Sequence, residues 1–195
     1  MEGMIGKSLL RTEDQRLLEG EGRFSDDIFP AGLCWGVMVR SPHAHARIRA
    51  LDKTAALASP GVLAVLDGND LLADDIKRIP HNPNQSAPPD IVLVNKDGSD
   101  VFVPHQHLLP GDKARYVGEA VAMVVAETMP QALDAAESVA VDYGVLPGVY
   151  HSEDAMRPRA PVVWTEVPDN VAVDTWFGDR KATDEAFSRA AHVVA

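Results

Sequence analysis

The pattern of apolar and polar positions is clearest in residues 114–143, which we predict to form a strand, a helix and a second strand. Residues 117–126 carry a single charge, on Glu119, and are rich in valine, which is typical of a strand covered on both faces. Residues 139–143 alternate between apolar and polar side chains, as expected for the second strand. This unit contains no catalytic motif, so its predicted role is packing.

The helix between these two strands has a defined start and two different faces. Thr128 can cap its first turn, and Pro130 suits a position inside that turn. Because its alanines leave little side chain between helix and sheet, we predict that it lies close against the strand. At helical spacing, its apolar face is predicted to consist of Met129, Leu133, Ala136 and Ala140.

Three strands are also predicted in the N-terminal third of the chain. Residues 33–40 alternate with a period of two, and the setting of Cys34 in this run suggests a small buried side chain. A second strand is predicted around Ile48 and Leu51, and a third strand at residues 62–66. A turn is predicted between the first two strands and a short helix between the second and the third, with further short helices before the first strand and after the third.

Residues 80–112 differ in composition from the rest of the chain, because they contain six of its fourteen prolines and three histidines. We interpret them as a long surface loop that contains a small hairpin, whose strands flank Asp97-Gly98.

Residues 151–170 are rich in proline and lack periodicity, which is typical of an arm that lies across another surface. A short helix is predicted at residues 184–191. An apolar run closes the sequence, and from it we expect a piece of a longer protein.

Composition and charge narrow the range of partners. With 195 residues, the chain is long enough for one large domain, or for one domain with an arm. The net charge of −11 argues against nucleic acid and against membrane surfaces as partners. The single cysteine excludes an internal disulfide and a cysteine-rich metal or iron–sulfur site made by this chain alone. Without a secretory signal or a run of eighteen apolar residues, a cytoplasmic location is expected.

Two histidine pairs are the first candidates for chemistry, because His43 and His45, like His105 and His107, stand two residues apart. At this spacing on a strand the two side chains would point the same way, and a pair can supply two metal ligands. A metal site also needs a third ligand, which the spacing does not designate. Two interpretations therefore remain, namely a metal site and histidines that are hydrogen-bonded or exposed.

Other polar residues have a structural interpretation beside a catalytic one. Ser41 lies near the first histidine pair, but no G-x-S-x-G elbow surrounds it, so a nucleophile is poorly supported. The glycine-rich motifs of dinucleotide and phosphate sites do not occur in the sequence. Arg115 and Glu119 bracket a short turn and fit an ion pair at the end of a strand.

Several motifs occur in a characteristic order, namely LEGEGRF at residues 18–24, VRSPHAHARI at residues 39–48 and RYVGEAVA at residues 115–122. In this order the chain resembles the N-terminal α/β hammerhead domain of the large, molybdopterin-binding subunit of the molybdenum hydroxylases. That family includes xanthine dehydrogenase, aldehyde oxidase and aerobic carbon monoxide dehydrogenase. The resemblance covers nearly the whole chain and implies an α+β fold, with a mixed sheet and short helices packed on it. The interface or structural-motif candidates are Arg40, Ser41, His43, His45, Arg115, Gly118 and Glu119.

The resemblance implies a structural role within an oxidoreductase. The complete enzyme would oxidise an aldehyde, a heteroaromatic compound or carbon monoxide at a molybdenum–molybdopterin site, with 2Fe–2S clusters and FAD on partner subunits. In the family the catalytic and cofactor-binding groups lie beyond the region that this chain matches, so the resemblance implies no catalytic, cofactor-binding or metal residue here. The implied partners are the remaining molybdopterin-binding domains and the iron–sulfur and FAD subunits. Exposed apolar surface would favour self-association of the isolated chain.

We predict a hammerhead domain over residues 1–150, followed over residues 151–195 by an extended arm that begins the next molybdopterin-binding domain. The resemblance predicts a chain that is inactive alone. Two other functions remain open, namely a free-standing interaction or assembly module without catalysis and a small metal-dependent enzyme that uses the histidine pairs.

Overall fold

The structure is a computed structural model that describes residue 6, residues 8–79 and residues 92–194. The strands in these ranges are β1 (Trp35–Arg40), β2 (Ala46–Asp52), β3 (Val62–Asp67), β4 (Lys113–Ala114), β5 (Ala120–Ala126) and β6 (Ala140–Val145). The helices are α1 (Asp14–Leu18), α2 (Thr54–Leu57), α3 (Gly68–Ala73), α4 (Met129–Glu137), α5 (Ser152–Ala155) and α6 (Arg180–Arg189), and Ser25–Asp27 forms a 3-10 helix. One histidine of the proline-rich loop, His81, lies outside the described residues.

The described strands form two sheets of three strands each. The first has the order β1-β5-β3 and the second the order β4-β2-β6. All pairs within them are antiparallel. The α+β class with short helices is therefore as predicted, with one difference in detail, since the described strands divide between two antiparallel sheets where a single mixed sheet was expected.

The core of the first sheet lies around β5, which pairs with a strand on each side. Val121 and Val124 are fully buried there, as expected for a strand covered on both faces. The strand begins at Ala120 rather than at residue 117, because a turn precedes it in which Gly118 has a φ of +86°. The predicted order of strand, helix and strand is confirmed in β5, α4 and β6.

Helix α4 packs on β1 and β5 through its smallest side chains. Thr128 caps the helix, since its Oγ1 accepts a hydrogen bond from the backbone N–H of Gln131 over 3.4 Å. Ala132 and Ala135 are fully buried, whereas Met129 is 39% exposed and Leu133 is 50% exposed. The close approach to the sheet is confirmed, and Ala136 packs against the core as predicted. The prediction was wrong for Met129 and Leu133, because the short distance admits alanine and leaves no room for longer side chains.

Strand β1 has the predicted alternation of half-buried and exposed side chains, with Trp35, Val37 and Val39 on its inner face. Cys34 is exposed, contrary to the prediction of a buried side chain. The same alternation explains this result, because a residue next to Trp35 belongs to the opposite face.

The loop after residue 92 packs against the arm rather than standing free. The predicted hairpin is confirmed as a single antiparallel bridge between Val94 and Asp100, with Gly98 at a φ of +84° in the turn. The backbone N–H of Phe102 donates a hydrogen bond to the carbonyl oxygen of Ala172 over 2.9 Å. The boundary near residue 150 stays a prediction.

Helix α6 begins earlier than the predicted helix at residues 184–191. Asp179 caps it and accepts a hydrogen bond from the N–H of Ala182 over 2.9 Å. None of its residues is buried. Among the described residues, no helix has both the length and the apolar composition required to cross a membrane.

Candidate functional site

The two motifs that carry the resemblance lie side by side and are joined by hydrogen bonds. Arg40 donates from Nη1 to the carbonyl oxygen of Gly118 over 2.8 Å. Ser41 donates from its backbone N–H to the carbonyl oxygen of Glu119 over 2.9 Å, and Gly118 donates back to the carbonyl oxygen of Ser41 over 2.8 Å. We call this structure the motif junction and define it as residues 40–45 together with residues 115–119.

One half of the motif junction is a tight turn before β5. Glu119 donates from its backbone N–H to the carbonyl oxygen of Tyr116 over 3.3 Å, which closes the turn. Gly118 occupies its third position with a positive φ, as a type II turn requires. Tyr116 and Val117 are 60% and 62% exposed at the tip. The turn therefore presents two apolar side chains on a fixed backbone.

The other half of the motif junction is organised by the Ser41 hydroxyl group, which is almost completely buried. Its Oγ accepts a hydrogen bond from the backbone N–H of His43 over 3.1 Å and donates one to the carbonyl oxygen of His43 over 3.1 Å. Because both bonds go to backbone groups and none to a histidine ring, the hydroxyl group shapes a turn. The geometry gives no support to a serine nucleophile.

His43 and His45 lie in the turn between β1 and β2 rather than on a strand, and they contact different parts of the molecule. The ring of His43 meets the ring of Tyr143 edge-on, with 5.1 Å between the ring centroids. The buried ring of His45 is hydrogen-bonded through Nδ1 to the carbonyl oxygen of Pro147 over 2.8 Å. The carbonyl oxygen of His45 also accepts from Leu146 over 2.9 Å. This histidine joins the motif junction to the segment after β6.

Arg115 does not form the expected side-chain ion pair with Glu119. Its Nη1 donates to the carbonyl oxygen of Lys113 over 2.9 Å, and its Nη2 lies 3.3 Å from Oδ2 of Asp112. Its guanidinium carbon lies 4.2 Å from the centre of the Trp164 ring, which is a close cation–π contact. The side chain of Arg115 therefore fastens the arm to the motif junction.

Glu119 is only 7% exposed, and its carboxylate accepts a hydrogen bond from the backbone N–H of Arg115. Burial raises the pKa of this carboxyl group, while the N–H groups of Arg115 and Tyr116 and the charge of Arg115 counteract the rise. The prediction of an ion pair was therefore wrong, because the Glu119 carboxylate is bonded to the backbone N–H of Arg115 and not to its guanidinium group.

The second histidine pair borders a cavity of about 460 Å³, which we call the histidine cavity. Its walls include His105, His107, Arg115, Tyr116, Glu119 and Trp164. The rings of His105 and His107 meet at nearly a right angle, with 6.3 Å between their centroids. Partial burial and the charge of Arg115 lower the pKa of His107, against an opposite effect of Asp112. This arrangement favours neutral imidazole at His107.

A second cavity, of about 300 Å³, lies between the loop and the arm, and we call it the arm cavity. Its walls include Phe102, Tyr150, Ala155, Val163, Trp164 and Ala172. Asn170 also lines this cavity and has a φ of +59°. Its side-chain oxygen accepts a hydrogen bond from the backbone N–H of Val163 over 3.1 Å. The Asn170 amide group donates to the carbonyl oxygens of Ala155 and Pro161, both over 3.0 Å.

Two residues of this region have larger roles than the sequence indicated. No sequence motif pointed to Trp164, yet its ring contacts Phe102, His105 and Arg115 where the loop, the arm and the motif junction meet. Asn170 likewise carries no sequence motif, yet its amide group is bonded to three backbone groups. An aromatic residue in an otherwise proline-rich arm was the one available signal for Trp164, and its partners could not be read from sequence spacing.

Among the described residues no complete metal site is found, and the histidine cavity does not fit the phosphate group of a pterin cofactor. Residues 8–79 and 92–194 contain no group of three or more histidine, cysteine, aspartate or glutamate side chains that could hold a metal ion. Molybdopterin carries a phosphate group, which requires converging N–H donors or free cations. At the histidine cavity the cation is Arg115, which is already bonded to Asp112 and Lys113, and the Glu119 carboxylate lines the same space.

Comparison with known proteins identifies relatives of the whole chain. Residues 19–147 match the family described as aldehyde oxidase and xanthine dehydrogenase, a/b hammerhead domain. The chain is 33% identical to the carbon monoxide dehydrogenase large chain of Afipia carboxidovorans, over 97% of this chain and 22% of that protein. It is 37% identical to the nicotine 6-hydroxylase large subunit of Paenarthrobacter nicotinovorans, over 98% of this chain and 21% of that protein.

Solved structures give the same picture of the fold. The reconstituted carbon monoxide dehydrogenase from Oligotropha carboxidovorans superposes with a TM-score of 0.74 and 32% sequence identity, over 96% of this chain and 22% of that chain. The hammerhead fold expected from the resemblance is confirmed. The chain spans about a fifth of the length of the relatives that it matches.

Proposed function

The chain belongs to the aldehyde oxidase and xanthine dehydrogenase family of α/β hammerhead domains, and we propose that it serves as the structural N-terminal domain of a molybdenum hydroxylase large subunit. In this role it packs on the cofactor-binding domains and on partner subunits. The complete enzyme oxidises an aldehyde, a heteroaromatic compound or carbon monoxide at molybdenum–molybdopterin, with iron–sulfur and FAD subunits as electron acceptors. The relatives, named as large chains and large subunits of such enzymes, support this assignment.

One observation carries the structural role, namely that the side chains of Arg40, Ser41 and Glu119 form hydrogen bonds to backbone groups within the motif junction. Arg40 is bonded to Gly118, the Ser41 hydroxyl group to His43, and the Glu119 carboxylate to the backbone of Arg115. A catalytic group needs a free lone pair or proton within reach of substrate. The Arg40 side chain instead joins two distant segments, and the Ser41 and Glu119 side chains each fix the turn in which they lie.

Exposed apolar side chains support packing on further protein surface. Leu10 and Leu18 are both 88% exposed, and Phe29 is 68% exposed, in a segment of the chain where none of the described residues before β1 is buried. Large apolar side chains that stay exposed in one stretch are typical of a surface that another protein covers. The remaining domains of the same subunit are the proposed cover.

Molybdenum content and turnover of the purified 195-residue chain test the proposal. The chain is purified beside a complete molybdenum hydroxylase, and both are assayed for molybdenum and for dye reduction with an aldehyde, a purine and carbon monoxide. We expect far less than one molybdenum per chain and no turnover, while the complete enzyme shows both. Stoichiometric molybdenum on the chain, or turnover by it, would overturn the structural role.

A further inference from the structure

We propose that the arm cavity is a binding site for an uncharged, planar aromatic molecule of one or two rings. This site is separate from the chemistry assigned to the complete enzyme and does not depend on it. Three features of the cavity lead to this assignment, namely its size, the composition of its walls and two polar side chains that line it.

The size of the cavity sets the size of the ligand. Its volume is about 300 Å³. An apolar cavity of about 150 Å³ is large enough to bind benzene, so this one has room for one ring with substituents or for two fused rings. It also reaches the lower end of the range of about 300–1,000 Å³ that is usual for small-molecule sites.

The walls favour an aromatic ligand without charge. Phe102 and Trp164 line the cavity with 6.0 Å between their ring centroids, and Tyr150 contributes a third ring. Aromatic rings bind one another in stacked or edge-on arrangements. No lysine, arginine, aspartate or glutamate is among the described residues that line the cavity. A charged ligand would therefore lose its hydration without gaining a partner.

Two polar side chains at the cavity can orient a ligand that carries a hydroxyl or amide group. His151 and Ser152 line it, and within the described part of the chain their side chains form no hydrogen bond. Asn170 is unavailable for this purpose, because its amide oxygen and nitrogen are already bonded to backbone groups. The histidine cavity is the less suitable site, since Arg115 and Glu119 line it.

Titration of the 195-residue chain with 4-fluorophenol, followed by fluorine NMR, tests the site. The expected result is saturable binding with a Kd of about 1 mM or below. The anion 4-fluorobenzoate has the same ring and should bind at least about tenfold more weakly. Absence of saturable binding by 4-fluorophenol, or equal binding of the two probes, would overturn the proposal.

Variants that fill the cavity locate the binding. Ala155→Phe and Ala172→Phe each place a ring in the cavity and should weaken the binding of 4-fluorophenol at least about tenfold. Ala58→Phe adds the same ring at an exposed alanine that does not line the cavity, and should leave the Kd unchanged. Circular dichroism establishes that the variants are folded. Nuclear Overhauser contacts between the probe and Phe102 or Trp164 of the unaltered chain are expected, and contacts elsewhere only would refute the site even if both filled variants fail to fold.

Discussion

Arg40 donates a hydrogen bond to the carbonyl oxygen of Gly118 over 2.8 Å, although 78 positions separate the two residues. Beside it, Ser41 and Gly118 are joined by a backbone hydrogen bond of 2.8 Å. The end of β1 and the turn before β5 therefore form one local structure. Each motif donates hydrogen bonds to the other, as expected if their role is structural.

Replacing Gly118 with alanine should destabilise the domain without any clash. A Cβ atom at this position would meet nothing within 4 Å, so the cost comes from the φ of +86°, which is unfavourable for an L-residue. We expect a loss of about 1 kcal/mol in the free energy of unfolding, measured by urea denaturation. Gly36→Ala is the matched control, because its Cβ would make an ordinary contact of 3.7 Å with Met123 at a negative φ. Equal losses in the two variants would contradict this account of Gly118.

Removal of the Ser41 hydroxyl group should leave the backbone N–H of His43 without its bond. Ser41→Ala is expected to lower the free energy of unfolding by about 1–2 kcal/mol, because an unpaired buried donor is costly. Ser138→Ala removes an exposed hydroxyl group bonded to the carbonyl oxygen of Asp134, and should change stability by less than about 0.5 kcal/mol. Thermal or urea unfolding compares the two. A neutral Ser41→Ala would show that the bond is dispensable.

Glu119 should make stability depend on pH in a defined direction. Burial raises the pKa of its carboxyl group above the ordinary value of 4.5, so the folded state holds the proton more tightly than the unfolded state. The contribution of this tighter proton binding to the free energy of unfolding is full below that ordinary value. It is lost as the pH rises through the raised pKa of the folded state. Glu119→Gln keeps a hydrogen-bond acceptor for Arg115 and removes this titration.

The free energy of unfolding of Glu119→Gln, relative to the unaltered chain, is therefore expected to increase as the pH rises from below 4.5 through the raised pKa of Glu119, and then to level off. Urea denaturation at a series of pH values measures the difference. Glu127→Gln controls for the loss of one negative charge at an exposed position. A difference for Glu119→Gln that stays flat, or that falls with pH, would contradict the assigned environment.

Trp164 should hold the arm on the rest of the domain. Trp164→Ala removes ring contacts with Phe102, His105 and Arg115. It should lower the free energy of unfolding by about 1–3 kcal/mol, which is less than the loss expected for a fully buried ring. Faster hydrogen exchange at the N–H of Phe102, which is bonded to the arm, would report the release.

Trp176→Ala is the control for that experiment. Trp176 is 51% exposed, with Lys96 at 5.5 Å and Arg180 at 5.1 Å from the centre of its ring. Removing this ring should therefore lower the free energy of unfolding by no more than about 1 kcal/mol. Equal exchange at Phe102 in the two variants would show that Trp164 has no special role.

The local elements were predictable because their signals are short-ranged. The capped helix α4 follows from Thr128 and Pro130, and the face of β1 from alternating side chains. The error about Met129 and Leu133 arose because apolar character alone does not tell how close a helix lies to a sheet. Only the packing shows that alanines occupy this contact.

The site depends on contacts between distant parts of the chain, which periodicity does not encode. Strand β2 pairs with β6, and Arg115 reaches Trp164 rather than Glu119. A spacing of four residues made Glu119 the obvious partner of Arg115. The turn at Gly118 instead directs the carboxylate to the backbone N–H of Arg115.

Turnover per bound molybdenum in a complete enzyme that contains this chain tests the central claim most directly. If the motif junction is structural, Ser41→Ala and Gly118→Ala reduce the yield of molybdenum-loaded enzyme while turnover per molybdenum stays within about twofold of the unaltered enzyme. A fall of more than about tenfold in turnover per molybdenum, at unchanged stability and loading, would contradict the claim and would make the junction part of the catalytic machinery.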